Sequence, residues 1–194
     1  FNMGAFPNSS GGAGAASFDL LFRWPNSPWS SYSTIKIDGV DNIYGSSGIM
    51  LLTPIDIDVK TNRSKWKVGD IEITQTLQLV TNPQTGREDL GKISYLVTNT
   101  GTVSHAVGQR IMLDTEIAQN DGVPFRVPGV GIVRNEMEFL GSAIPDTFQA
   151  FFNVTSSDRT SVSILKTNVE ILPDRLVLAS WAEITNALFD YTIN

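Results

Sequence analysis

The sequence predicts an all-β chain that folds as a single large antiparallel β-sandwich with long Gly/Pro loops. Two observations carry this prediction. Apolar and polar residues alternate with a period of two along several segments, which places every second side chain on the same face of a strand. Turn-forming residues, including 16 glycines and 9 prolines, separate these segments at short intervals. Strands at this spacing are typical of sandwiches and barrels.

The clearest alternation is found at residues 55–60 and 71–79. Residues 55–60 read Ile-Asp-Ile-Asp-Val-Lys, with one apolar and one charged face. Residues 71–79 repeat the pattern, and only Gln75 interrupts their apolar face. We therefore expect the isoleucines and leucines of both segments, with Ile55, Ile57, Ile71 and Ile73 among them, to lie in one core.

Turn signals place further strands along the chain. A turn at residues 82–86 is followed by a returning strand at 93–98, and a second turn, Asn99-Thr100-Gly101, precedes another strand. A Gly/Pro-containing loop covers 119–131, and a helix of a turn or two is expected only near 180–186. The other predicted strands are 106–113, 147–154, 161–166, 176–180 and 187–193.

The predicted organisation is one domain preceded by an arm. Residues 1–17 are rich in Gly, Ala, Ser and Asn and carry no periodicity, so we expect a flexible N-terminal arm. Residues 18–194 are predicted to form the sandwich domain. The hairpins predicted between 71 and 113 cross the midpoint of the chain, which argues against two domains. Because the chain begins with Phe1, we interpret it as a segment of a larger polypeptide.

The composition excludes several classes of function. The formal net charge is −6 and Lys and Arg form no cluster, so the basic footprint that binds nucleic-acid phosphates is missing. The chain has no cysteine, which excludes thiolate catalysis and zinc–thiolate sites. Apolar runs such as 49–52 are far too short to span a bilayer, and we predict no membrane insertion.

Residues 93–102, Ile-Ser-Tyr-Leu-Val-Thr-Asn-Thr-Gly-Thr, resemble a recurring phrase of prokaryotic cell-surface, immunoglobulin-like modules related to adhesion. In those β-sandwich modules a strand ends in Asn-Thr-Gly and a second strand runs back to an Asp, here Asp114. The resemblance implies a secreted or cell-surface protein of a bacterium or archaeon. The length of the chain is similar to that of the larger mutarotase-like accessory domains of sugar-active enzymes, which is the alternative.

A group of oxygen-bearing side chains lies where a predicted strand ends and a glycine-containing loop begins. Its members are Asp114, Glu116, Asn120 and Asp121. Calcium takes six to eight such oxygen ligands, so these residues are candidates for a structural Ca²⁺ site. Turns also favour Asp and Asn for reasons of backbone conformation alone, and that interpretation stays open.

An aromatic stretch at residues 22–32 supplies candidate ligand-binding residues, namely Trp24, Trp29 and Tyr32. Rings that Pro and Ser hold in a rigid loop can stack on the faces of sugars, while Asn and Ser hydrogen-bond the hydroxyls. The same rings would equally well cover one end of the sandwich. A glycan or another surface protein is the partner that this stretch favours.

No set of residues points to catalysis. His105 is the only histidine, no Gly-x-Ser-x-Gly elbow is present, and we expect His105 to be a hydrogen-bonding or surface residue beside a turn. We therefore predict a non-catalytic module for adhesion or for binding carbohydrate. The alternative is an accessory or catalytic domain of a carbohydrate-active enzyme, in which Glu136, Glu138 or Asp114 would be the carboxylates and Trp24 and Trp29 the stacking platforms.

Overall fold

A computed structural model describes residues 4–5, 18–23, 26, 29–83, 85–154, 156–167 and 169–193. The chain is built from antiparallel β-strands, so the predicted all-β antiparallel class is confirmed. A short helix, α1 (Trp181–Ile184), lies within the predicted helical turn. The strands are β1 (Gly4–Ala5), β2 (Phe18–Asp19), β3 (Tyr32–Ile37), β4 (Val40–Ile43), β5 (Ile49–Asp58), β6 (Thr61–Val68), β7 (Ile71–Val80), β8 (Leu90–Asn99), β9 (Val107–Met112), β10 (Phe125–Val127), β11 (Gly131–Val133), β12 (Met137–Leu140), β13 (Thr147–Asn153), β14 (Ser156–Ile164) and β15 (Arg175–Leu178).

The chain divides into two compact units, Ser33–Arg110 and the combination of Phe1–Tyr32 with Ile111–Asn194. The described strands form five separate sheets, in the orders β1-β2, β11-β10-β13-β14, β12-β15, β4-β3-β9 and β5-β6-β7-β8. The finer prediction, a single sandwich over 18–194, stays a prediction. The predicted arm at 1–17 lies outside the described residues except for β1, which pairs with β2.

The core of the unit Ser33–Arg110 lies between its two sheets. Ile35 of β3 packs with Trp66, Ile71 and Ile73 of the four-stranded sheet, and all four side chains are buried. Trp66 pairs with Ile73 across β6 and β7, so the two residues share one face of the sheet. The Trp66 indole N–H also donates to the Ser47 carbonyl, which satisfies its polar edge.

Gln75, which interrupts the apolar face of β7, has a structural role in this core. It lies opposite Tyr95 of β8, and its Nε2 donates to the Tyr95 hydroxyl at 2.7 Å. The same hydroxyl hydrogen-bonds Ser33 of β3. The burial of its phenol raises the pKa of Tyr95 to about 12, although the hydrogen bonds from its two partners oppose that shift. Gln75 is thus a satisfied polar residue in a buried network.

The strand that shows the clearest alternation, β5, does not bury its apolar residues. Ile71 and Ile73 are buried as predicted, whereas Ile55 and Ile57 are 42% and 48% exposed. The prediction that all four share one core is therefore wrong for β5. This strand lies at the edge of its sheet, and its register with β6 shifts at three places. Each shift moves the following side chains to the other face, so the alternation in the sequence no longer corresponds to one buried side.

The turn at residues 99–101 forms, but it does not close the predicted hairpin. Gly101 N–H donates to Asn99 Oδ1 at 2.9 Å, and an added Cβ at Gly101 would collide with the Asp70 side chain. The following strand, β9, pairs with β3 and not with β8. The predicted pairing is therefore wrong, and this turn leads the chain from one sheet into the other. Residues 187–193, also predicted as a strand, form none.

The other unit has its own buried residues around the sheet β11-β10-β13-β14. Arg126 of β10 lies over the Phe151 ring of β13, with the guanidinium carbon 4.6 Å from the ring centroid, and Phe125 packs edge-to-face on Phe148. An isolated bridge joins Leu21 to Thr115 and ties the N-terminal stretch to this unit. Its buried apolar side chains include Leu21, Met112, Ile117, Val127, Ile144, Ala150, Phe151 and Leu178.

Candidate functional site

Trp29 presents a large ring to solvent while two other rings hold it in place. It exposes 56% of its surface. Phe22 packs against it with ring centroids 6.3 Å apart and an interplanar angle of 85°. Trp181 of α1 packs against it at 5.3 Å and 88°. These edge-to-face contacts are the favoured geometry of aromatic pairs, so they fix the orientation of the exposed indole.

The chain after Trp29 is firmly anchored. Ser30 and Ser31 are only 1% and 4% exposed. The backbone N–H of Asp114 donates to Ser31 Oγ at 3.0 Å, and the N–H of Phe22 donates to the Asp114 carbonyl at 3.0 Å. The sequence predicted the aromatic stretch and the Asp114 segment as separate candidate sites. The structure brings these two segments together, because the backbone of Asp114 hydrogen-bonds both Phe22 and Ser31, which lie on either side of Trp29 in the sequence.

Two carboxyl groups of the predicted calcium set are buried. Asp114 is 7% exposed and Glu116 is 9% exposed. Burial raises the pKa of Asp114; the hydroxyl of Ser30 opposes that shift, and the charge of Asp121 adds to it. Asp121 therefore lies near Asp114.

The predicted calcium site is not supported by a converging ligand set in the described part of the chain. No group of three or more His, Cys, Asp or Glu residues there is arranged to hold a metal ion. Asn120 uses both ends of its amide within the protein: Nδ2 donates to the Phe152 carbonyl, and Oδ1 accepts from the Gly122 N–H at 3.0 Å. The assignment of calcium to Asp114, Glu116, Asn120 and Asp121 stays a prediction.

A cluster of acidic and phenolic groups lies around the helix that carries Trp181. Tyr191 Oη donates to Glu136 Oε1 at 2.6 Å. The carboxyl of Glu183, on α1, also hydrogen-bonds Glu136, and this contact raises the pKa of Glu183. The hydrogen bond to Glu136, together with the nearby negative charges, raises the pKa of Tyr191 to about 12. α1 thus carries both a ring that contacts Trp29 and a carboxyl group that hydrogen-bonds Glu136.

Glu138, the other carboxylate predicted for an enzyme, has a different environment. Its Oε1 lies 2.6 Å from Arg175 Nε, and Arg175 also donates to the Tyr191 carbonyl. Glu138 is thus an ion-paired residue on β12. The structure pairs Glu136 with Glu183 instead, a residue that the sequence analysis missed. The only local signal was Ser180-x-x-Glu183, a capping-box spacing that marks a helix start and says nothing about Glu136.

Two other residues were predicted to bind ligand, Trp24 and Tyr32. Trp24 lies outside the described residues. Tyr32, at the start of β3, is half-buried. An open groove of about 520 Å³ contains none of the predicted site residues and is lined by Gly141, Ser142, Lys166, Leu172, Pro173 and Asp174.

His105 makes a hydrogen bond beside a turn, as predicted. Its Nδ1 lies 2.6 Å from Asp38 Oδ2, and the Ala106 N–H donates to Asp38 Oδ1 at 2.9 Å. Because a carboxylate only accepts, His105 donates from Nδ1. The bond from His105, together with that from Ala106, lowers the pKa of Asp38. The pair ties the tip of the β3–β4 hairpin to the segment before β9.

No protein-family model, curated protein or solved structure matches the chain. Within the described residues, no helix has the length and apolar character needed to cross a membrane.

Proposed function

We propose that this protein is a non-catalytic, secreted or cell-surface β-sandwich module that binds glycan through Trp29. The observation that carries the proposal is the exposed Trp29 indole, which Phe22 and Trp181 orient. It is followed by the buried Ser30 and Ser31, and Ser31 Oγ accepts a hydrogen bond from the Asp114 N–H. An exposed ring that has lost its freedom of rotation loses little further entropy when a ligand stacks on it. A flat apolar ring beside polar groups suits the apolar face and hydroxyl rim of a sugar.

The surroundings of Trp29 favour neutral or cationic sugars over anionic ones. α1 carries Glu183 next to Trp181, and Glu183 is exposed. The whole chain has a formal net charge of −6. Like charges that meet at a binding surface are unfavourable, so sulfated or uronic-acid glycans would be repelled.

The carboxyl pair does not favour the enzyme alternative. Glycosidases hold their two carboxyl groups about 5–9.5 Å apart, so that the sugar and its nucleophile fit between them. Glu136 and Glu183 hydrogen-bond each other, which requires a closer approach, and the Tyr191 hydroxyl occupies Glu136 as well. Glu138 is neutralised by Arg175. A binding module is therefore the function that this geometry supports better.

The test is a glycan array followed by calorimetry on the glycans that bind. Trp29→Ala is expected to weaken binding at least about tenfold, equivalent to about 1.4 kcal/mol, because it removes the stacking face. Trp29→Phe should retain part of the affinity. Val59→Ala, at a 97% exposed residue of the other unit, is the matched surface control and should change nothing. Absence of binding to any glycan, or unchanged affinity in Trp29→Ala, would contradict the proposal.

A further inference from the structure

The outer edge of β8 is a long, regular strand edge. All ten residues of Leu90–Asn99 pair with β7 in one unbroken register. β8 is the last strand of its sheet, and no other described strand pairs with it. Residues 93–99 contain no charged residue, proline or glycine. An uncharged edge with an unbroken register exposes backbone N–H and C=O groups that can pair with another strand.

The opposite edge of the same sheet carries the features that prevent such pairing. β5 has three register shifts against β6, and it contains Pro54, which lacks a backbone N–H. Asp56 and Asp58 add negative charge to its exposed length. Register shifts, proline and charge are features that keep the edge strands of natural sheets from pairing with other chains. β8 carries none of them between residues 93 and 99.

The hydrogen bonds of the sheet determine which β8 residues face the open side. Thr100 N–H donates to the Asp70 carbonyl, so Thr100 and Asp70 form a hydrogen-bonded pair. Because such pairs alternate along an antiparallel ladder, the even-numbered residues of β8 bond to β7. The odd-numbered residues therefore direct their N–H and C=O groups outward. These residues are Ile93, Tyr95, Val97 and Asn99.

We infer that β8 pairs antiparallel with β8 of a second copy of this chain, about a two-fold axis at Leu96. This register sets odd-numbered residues opposite odd-numbered ones, so outward-facing backbone groups meet outward-facing groups. Tyr95 then lies opposite the Val97 position of the other copy, and Ile93 opposite the Asn99 position. A two-fold interface of this kind is self-complementary and closes as a dimer.

The side chains in this register also match. Leu96, which is 65% exposed, meets its own equivalent on the axis. Ser94 lies opposite the Thr98 position, and pairs of hydroxyl side chains are favourable cross-strand neighbours. Aromatic and β-branched residues such as Tyr95 and Val97 are also a favourable pair. No like charges meet within the paired segment, and this chemistry selects a second copy over a charged peptide as the occupant.

The experiment measures molar mass by light scattering and sedimentation across a concentration series. The parent chain is expected to form a dimer. Leu96→Lys and Leu96→Glu should each be monomeric, because each places two like charges together on the axis. An equimolar mixture of the two variants should recover the dimer, since Lys then faces Glu. Leu96 shares its sheet face with Lys65 and Thr74, opposite to the core face, so circular dichroism should show the fold retained.

Two control variants test the register centred on Leu96 and the choice of β8 as the pairing edge. Thr98→Lys adds the same charge to the same exposed face of β8, but its lysine would face Ser94 instead of a second lysine, so dimerisation should persist. Leu51→Lys, at an exposed residue of β5, should also leave the dimer intact. A monomeric parent chain, a mixture that stays monomeric, or equal disruption by Thr98→Lys would overturn the inference.

Discussion

Two tyrosines in different units have pKa values raised to about the same level for different physical reasons. Tyr95 reaches about 12 chiefly because its phenol is buried. Tyr191 also reaches about 12, but the first cause is its hydrogen bond to Glu136, followed by desolvation and then by the negative charge of Glu136 and Glu183. Burial chiefly disfavours the ionised form of Tyr95, whereas the hydrogen bond to Glu136 and the neighbouring negative charges disfavour the ionised form of Tyr191.

This difference separates a network that holds a core from one that responds to solution conditions. The Tyr95 hydroxyl hydrogen-bonds Ser33 and Gln75, which lie on two different sheets. Without this hydroxyl, each of these buried side chains would lose a hydrogen bond. The Tyr191 hydroxyl contacts carboxyl groups that solvent reaches and that titrate. We therefore expect substitutions in the first network to change stability most, and changes in pH or salt to act on the second.

The largest effect is expected for Tyr95→Phe. The substitution leaves Gln75 Nε2 and Ser33 Oγ without their shared partner, at a cost of about 1–3 kcal/mol for buried polar groups. Tyr191→Phe, the matched removal of a hydroxyl, should cost clearly less, because water can replace the bond to Glu136. Urea unfolding followed by circular dichroism gives both free energies. Equal losses of unfolding free energy in the two variants would show that the Tyr95 hydrogen bonds stabilise the fold no more than the Tyr191 hydrogen bond does.

A smaller effect is expected from Glu183→Gln, and it depends on pH. The pKa of Glu183 is raised above its ordinary value of 4.5 in the folded protein. The stabilisation from its contact with Glu136 is thus present below about pH 4.5 and is lost as pH rises through the raised pKa. The glutamine side chain introduced there cannot ionise and can still donate to Glu136, so the variant should lose less stability as pH rises. Melting temperatures over a pH series measure this, and parallel profiles would contradict it.

Glu72→Gln is the control with the opposite sign. Lys65 Nζ lies 2.5 Å and Lys67 Nζ 3.6 Å from the Glu72 carboxylate. The hydrogen bond from Lys65 is the chief cause that lowers the pKa of Glu72 below 4.5. Its stabilisation is present above that value and is lost as pH falls through the lowered pKa. Glu72→Gln should therefore reduce the loss of melting temperature as pH falls below 4.5. Glu183→Gln should instead reduce the loss of melting temperature as pH rises above 4.5.

The sequence predicted those strands in which one face packs on a core and the other face is polar. The alternation of residues 71–75 matches their burial in β7, and residues 93–98 were recognisable as β8 from the turn that precedes them. β5 has equally clear alternation, yet its exposure follows from its edge position and register shifts, which depend on partners and not on its own residues. β3 and β6 were missed because their buried residues include Ser33, Thr34 and Ser64, which carry no apolar signal.

The candidate site was predictable only in its local part. The aromatic stretch at 22–32 was recognisable because its rings are close together in sequence, and Trp29 is indeed exposed. Its partner Trp181 lies 152 positions later, and Glu183 meets Glu136 across a loop and several strands. Such contacts depend on how the strands pair. Single-sequence alternation does not specify that pairing.

The smallest effect, and the most direct test of the two causes, is the response of the tyrosines to salt. The charges that raise the pKa of Tyr191 act through solvent, and the screening length falls from about 10 Å at 0.1 M salt to about 3 Å at 1 M. The pKa of Tyr191 should therefore fall by the part of its rise that these charges cause as salt is added, while that of Tyr95 stays near 12 because salt does not reverse burial. Stopped-flow jumps to high pH, read by phenolate absorbance before unfolding, measure both. Tyr95→Phe and Tyr191→Phe assign the two transitions, and a Tyr95 transition that moves with salt as much as that of Tyr191 would show that charge, and not burial, governs both.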